Sequence, residues 1–275
     1  MGGEGDPYLL GMLFSFDSRE RVNSYAQALE AVIQRHDILR TGVMWEGLRE
    51  PVQVVWRKAK LPVEEVEVEA GGGDAGEQLY ARYNPRGYRI DVRQAPLVRV
   101  MIAEDKEQGR WLMMMLRHHL VGDHSTQEVM HREIEAYLLG EEEGLGEPLP
   151  FRNLVAEARL GVREEEHEEY FRKLLGEVEE PTAPYGLVEV RGDGRGIEEA
   201  RVKVEGGLGR RIREEARKLG VSAASVCHVA WGVVLGKVSG REDVVFGSVL
   251  LGRMQGGEGA DRVMGLFINT LPVRM

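Results

Sequence analysis

Six large apolar residues in a row, Trp111-Leu112-Met113-Met114-Met115-Leu116, run straight into Arg117-His118-His119, and this abrupt change constrains the chain more than any other stretch. Residues 111–119 read as a strand rich in bulky apolar side chains. Side chains alternate faces along a strand, so Leu112, Met114, Leu116 and His118 share one side, and Met113, Met115, Arg117 and His119 the other. The two adjacent histidines therefore point opposite ways. Shortly after, Ser125 with Glu128 forms a capping-box pattern that opens a helix with Met130, Ile134, Tyr137 and Leu138 on its apolar face. The polar residues 117–128 thus sit at a strand-to-helix junction.

The rest of the chain is mixed α and β. Residues 8–16 read as a strand, and Asp17 with Glu20 as a capping box for a helix whose stripe is Val22, Tyr25, Ala26, Leu29, Val32 and Ile33. Strands are expected at 38–45, 52–56 and 97–103, with a short helical stretch after the Gly71 loop. A charged helix over 163–176 carries Glu164, Glu165, Glu166, Glu168 and Glu169, a solvated face. Pro181 and Pro184 mark a linker, which places one lobe at residues 1–180 and the start of a second at 181–275. In the second, a strand is expected at 201–205, a helix at 208–219, a buried helix at 222–238, a strand buried on both faces at 243–250, and a last strand at 266–273. A strand running to the end of the chain suggests a fragment.

Composition removes several classes of function. With 36 basic against 46 acidic side chains the net charge is −10, which argues against a broad footprint for nucleic acid or anionic lipid. One cysteine, Cys227, excludes a disulfide framework or a multi-cysteine metal site and suits a reducing cytoplasm. Residues 1–7 do not form a signal peptide, and no apolar run is long enough to span a bilayer. No phosphate-binding glycine loop precedes a helix.

The chemistry concentrates at the junction. Histidine at a strand end can take a proton from an amine or hydroxyl attacking an acyl carbon. A metal site built from His119, Asp123 and His124 is disfavoured, because neighbouring residues rarely converge on one ion. A covalent nucleophile is equally disfavoured: Gly247-Ser248 lacks the second glycine of a nucleophile elbow, and Cys227 falls in the helix expected to be buried. Direct acyl transfer fits better. His131 could share a face with His124, while His36, His167 and His228 have no partner pattern and read as structural.

The stretch His118-His119-Leu120-Val121-Gly122-Asp123 resembles the H-H-x-x-x-D motif of nonribosomal peptide synthetase condensation domains, members of the chloramphenicol acetyltransferase-like superfamily. Two further segments match in order. Arg35-His36-Asp37-Ile38-Leu39-Arg40-Thr41 is similar to that family's R-H-E-x-L-R-T, and residues 264–274 are similar to its G-x-F-x-N-T-x-x-x-R. Residues 243–247 followed by Gly252-Arg253 resemble its strand and glycine-arginine loop, so the likeness covers almost the whole chain.

The resemblance implies a two-lobed α/β sandwich, the first lobe nearly complete and the second partial. It implies amide-bond formation between donor and acceptor thioesters on two carrier proteins, within a synthetase of adjacent modules. The phosphopantetheine arms belong to those partners, and the domain itself is expected to bind no cofactor, metal, nucleic acid or membrane. The motif residues His118, His119, Gly122 and Asp123 are the candidate catalytic set, with His119 in the catalytic position as general base or as the group that positions the amine. Asp123 is implied to be structural, paired with Arg253. Arg35, Arg40 and Asn269 are implied supports, and His124 stands where the family usually has glycine. Three alternatives share the motif or the fold: an epimerisation domain, an ester-forming acyltransferase, and an inactive carrier-binding fragment.

Overall fold

The structure is a computed structural model that describes residues 5–187, 198, 200–252, 259 and 262–275. It divides into two compact units, one of residues Met1–Gly161 with Leu251–Ile268, the other of Val162–Leu250 with Asn269–Met275. The division falls ahead of Pro181 and Pro184, and it is not a single cut, because a late segment of the chain returns to the first unit.

In the first unit, β1 (Leu9–Phe16), β4 (Val63–Glu65), β5 (Val98–Asp105) and β6 (Arg110–His118) form a sheet in the order β1-β6-β5-β4. β6 is antiparallel to both β1 and β5, with Leu9 opposite His118 and Val98 opposite Arg117. β4 runs parallel to β5. β6 is central, and every residue from Leu112 to His118 is buried, so its apolar run is covered on both faces of the pleat. A second, two-stranded sheet joins β2 (Thr41–Met44) to β3 (Val52–Val55). The strand expected over 38–45 starts late, because Asp37 accepts the Ile38 N–H and turns residues Ile38–Arg40 into a 3-10 helix.

Helix α1 (Arg19–Arg35) buries Val22, Ala28, Leu29, Val32 and Ile33 and packs against α3 (His124–Leu139) and β6. Its cap is Ser18, which accepts the Arg21 N–H, rather than the Asp17–Glu20 box. Helix α2 (Ala75–Arg82) packs on β1 and β6, and α4 (Phe151–Leu160), which the sequence pattern does not reveal, follows Pro150. The periodic face of α3 buries Met130 and Ile134, while Leu138 is exposed.

The second unit holds α5 (Glu164–Leu175), α6 (Gly206–Lys218), α7 (Ala223–Ser239) and a two-stranded sheet of β7 (Val245–Leu251) and β8 (Ile268–Arg274). Residues 201–205 join no sheet among the described residues, and Val202 and Val204 face solvent. Helix α7 is apolar on all sides but not buried. It packs on α6 and on the turn Pro184–Gly186, which leaves Val229, Trp231, Val233 and Val234 exposed. Cys227 on this helix is exposed as well. β7 is likewise uncovered, with Ser248 its only buried residue. No single helix among the described residues is long and apolar enough to cross a membrane.

Candidate active site

Beyond β6 the chain makes a 3-10 turn over His119–Val121, passes through Gly122 and enters α3 at His124. The residue that starts α3 is Asp123, not Ser125. Asp123 is extended, with φ −101° and ψ −165°, and its Oδ1 accepts the Thr126 N–H at 3.0 Å. A carboxylate there satisfies a helix-end amide and faces the positive end of the helix dipole. The other oxygen, Oδ2, accepts the Phe267 N–H at 3.2 Å. The Thr126 hydroxyl accepts from the Gly265 N–H and donates to the Gly265 carbonyl, both at 2.9 Å. Asp123 and Thr126 are both buried, so the loop, the start of α3 and residues 265–267 are one hydrogen-bonded assembly.

Gly122 is required by space rather than by backbone angle. A Cβ there would lie 2.4 Å from Thr126 Cγ2 and 2.5 Å from Arg117 Nη1. Arg117 itself is fully buried. Its Nη2 donates to the Asp123 carbonyl at 3.4 Å, while Nε and Nη1 make no hydrogen bond among the described residues. Burial lowers the Arg117 pKa and the nearby Asp123 charge opposes that shift. Strand alternation alone puts Arg117 on the His119 face and assigns it no role. A signal is nonetheless present: a charge directly following six apolar residues in a central strand needs a specific partner.

The two histidines of the motif have different surroundings. His118 is 4% exposed; its Nδ1 accepts the Leu120 N–H at 3.1 Å, and its Nε2 lies 3.1 Å from Asp6 Oδ2. Burial lowers its pKa most, the Asp6 carboxylate raises it, and His119 lowers it further. His119 is half-buried, and its ring makes no hydrogen bond among the described residues. Only its backbone is held: its N–H donates to the Tyr8 carbonyl at 2.7 Å, and its carbonyl accepts from Gly122 at 3.2 Å. An imidazole so placed has a nitrogen available to a reacting group.

The remaining candidates have varied surroundings. His124 is the first residue of α3, its side chain 83% exposed and 3.6 Å from Glu128. Arg35 pairs with Glu133 of α3 at 3.2 Å and bonds the Gly146 carbonyl, while His36 Nε2 meets the same Glu133 at 2.8 Å. Arg40 bonds instead to the carbonyls of Trp56 and Arg57. Asn269, on β8 in the second unit, is exposed and its side chain makes no hydrogen bond among the described residues. Arg253 lies outside the described residues. His131 of α3 packs edge-on against Phe14, with centroids 6.0 Å apart, and its Nε2 is buried without a hydrogen-bond partner among the described residues. His228 Nε2 bonds the Ser248 hydroxyl at 2.7 Å, and its ring stacks on Phe246.

The crowding at Gly122 sets the cost of filling it. Gly122→Ala is expected to lower stability by about 1–3 kcal/mol, the range for overpacking a filled site, read as a fall in the denaturation midpoint. His118 and His131 are both held below the ordinary histidine value of 6.5, burial being the larger cause in each. The unfolded chain therefore takes up protons below pH 6.5 that the folded chain resists. Their contribution to stability is complete above that pH and is lost as the pH falls below it. The lowered carboxylates Asp91 and Asp105 act in a separate window, below their ordinary 3.8. The denaturation midpoint should drop between about pH 6.5 and 4, and His131→Gln should shrink that drop.

Comparison with known proteins places this geometry. A family model for condensation domains matches residues 2–275. Malpibaldin synthetase of Mortierella alpina is 50% identical over 275 residues, covering 100% of this chain and 5% of that protein. Malpinin synthetase of the same organism is 49% identical over 275 residues, covering 98% and 4%. The chain thus spans only 4–5% of the length of these relatives. Among solved structures, the condensation domain of the monacolin K polyketide synthase matches with a TM-score of 0.71 and 21% identity, over 97% of this chain and 62% of that one. The first condensation domain of the CDA synthetase matches at 0.68 and 18%, over 99% and 65%. At these identities the structures speak to the fold, which is the chloramphenicol acetyltransferase-like α/β fold expected from the sequence. With its double-histidine loop and a family match running almost from end to end, the chain belongs to the condensation-domain family.

Proposed function

We propose that this chain is the condensation domain of a nonribosomal peptide synthetase and forms an amide bond between an acyl or peptidyl donor and an aminoacyl acceptor. Both substrates would be held as thioesters on the phosphopantetheine arms of carrier proteins. The acceptor amine attacks the donor carbonyl, the new C–N bond forms, and the C–S bond to the donor arm breaks. The amine gives up a proton and the departing thiolate takes one, so a group that can accept and return a proton suffices, with no covalent enzyme intermediate.

The observation that carries this reading is the contrast between the adjacent histidines. His118 uses both ring nitrogens in buried contacts, whereas the His119 ring has none among the described residues. We assign the proton-handling or amine-positioning role to His119. His118, Gly122, Asp123 and Arg117 then act by holding the loop, the last three through the Asp123 clamp and the close packing at Gly122. Arg35 braces α3 from its far side through Glu133. His124 stands at the mouth of the loop with its ring in solvent, where it would meet substrate or carrier before the motif does.

The test uses two carrier proteins, one loaded with donor and one with acceptor, incubated with the chain and followed by intact-protein mass spectrometry. The acceptor carrier should gain the mass of the donor acyl group with the wild-type chain. With His119→Ala the rate should fall by about a hundredfold or more, as expected for losing a positioned acid–base group. Equal transfer by His119→Ala would remove the assignment. Inversion of a loaded aminoacyl α-carbon without any acceptor would point to epimerisation instead.

A further inference from the structure

The segment ahead of β1 carries a group that the motif does not include. Asp6 is 8% exposed, and each of its carboxylate oxygens has a partner. Oδ1 accepts the Tyr8 N–H at 2.9 Å, and Oδ2 lies 3.1 Å from His118 Nε2. The backbone here is pinned as well. The Asp6 N–H donates to the Pro85 carbonyl at 2.8 Å, and a Cβ on Gly5 would lie 2.1 Å from the Arg86 carbonyl oxygen, so residues 5 and 6 lie flush against 85 and 86.

The protonation pattern of His118 follows from donor and acceptor logic alone. A backbone amide can only donate, so the Leu120 N–H at 3.1 Å requires a lone pair on His118 Nδ1. The neutral ring then carries its proton on Nε2, aimed at the Asp6 carboxylate. Protonating Nδ1 would set two donors against each other at the first peptide of the turn. The same segment holds the neighbouring residue, since the Tyr8 carbonyl accepts the His119 N–H at 2.7 Å.

We infer that Asp6 is a positioning residue for the transfer reaction: through His118 it locks the turn that carries His119. The inference rests on the reading of His119 as the reacting histidine. A carboxylate that fixes the tautomer and orientation of a ring, which in turn fixes a peptide, acts on geometry, and small misplacements of a reacting group are costly in rate. Nothing in the motif spacing identifies Asp6, because it lies 112 residues before His118.

The test combines a spectroscopic and a kinetic readout on the full chain. Long-range 15N–1H spectra of histidine-labelled wild type should show His118 as the Nε2–H tautomer, and Asp6→Asn should shift or broaden that signal. In the two-carrier assay Asp6→Asn should lower kcat by roughly tenfold to a hundredfold with the KM for the acceptor carrier within about twofold. His118→Gln should lower kcat similarly, and the double variant should be no slower than the slower single, because both act through one contact. An Nδ1–H tautomer in the wild type, an unchanged spectrum in Asp6→Asn, a wild-type kcat for that variant, or losses that multiply would each overturn the inference. Should no form of the chain transfer, the functional reading and the positioning role fail together, while the two spectra still decide whether Asp6 sets the His118 tautomer.

Discussion

A single buried carboxylate organises the junction on which the rest of the site depends. Asp123 ends the turn after β6, caps α3 through the Thr126 N–H, and holds the returning segment through the Phe267 N–H. An ionised group taken out of water must recover its hydration from fixed donors, and here those donors come from separate parts of the first unit. The same requirement explains Arg117, whose buried guanidinium donates to the Asp123 carbonyl and crowds Gly122 so closely that no side chain fits there. The spacing of the motif is therefore a packing requirement: a short turn, a glycine where Arg117 and Thr126 press in, and a carboxylate to start the helix.

The end of β6 and the segment ahead of β1 together give the neighbouring histidines different surroundings. One face of β6 directs His118 to Asp6 and to the Leu120 amide, where it is desolvated and both nitrogens are engaged. His119, just past the strand, is anchored by its backbone alone among the described residues. Two residues of the same type, adjacent in sequence, thus become a strut and a free ring. The difference is that His118 ends the strand, beside Asp6, while His119 begins the turn that follows.

The central strand and the α1 stripe are legible from periodicity, since those patterns are contained within one element, whereas the strand expected to carry both histidines ends at His118 and leaves His119 in the 3-10 turn. The helix starts are each displaced by one or two residues, because Ser18 and Asp123 outcompete the neighbouring capping boxes once the entering backbone is extended. Whatever depends on distant partners is not legible. Asp6 and Arg117 acquire meaning only through contacts that bring residue 6 to 118 and residue 117 to 123. Residues 201–205 alternate like a strand but join no sheet among the described residues. The apolar surfaces of α7 and β7 have the composition of buried elements, although α6 and one turn are the main packing on α7. Composition reports how much surface a segment is built to hide, and not what covers it.

Of the adjacent pair, His119 alone has a ring without a hydrogen bond among the described residues, and it is the imidazole on which transfer is proposed to depend. Diethyl pyrocarbonate acylates accessible, unprotonated imidazole nitrogens, and peptide mapping assigns the modified residue. His119 should be modified while His118 is protected, and loss of acyl transfer should track the fraction of His119 modified. Modification of His118 ahead of His119, or transfer that survives complete modification of His119, would contradict it.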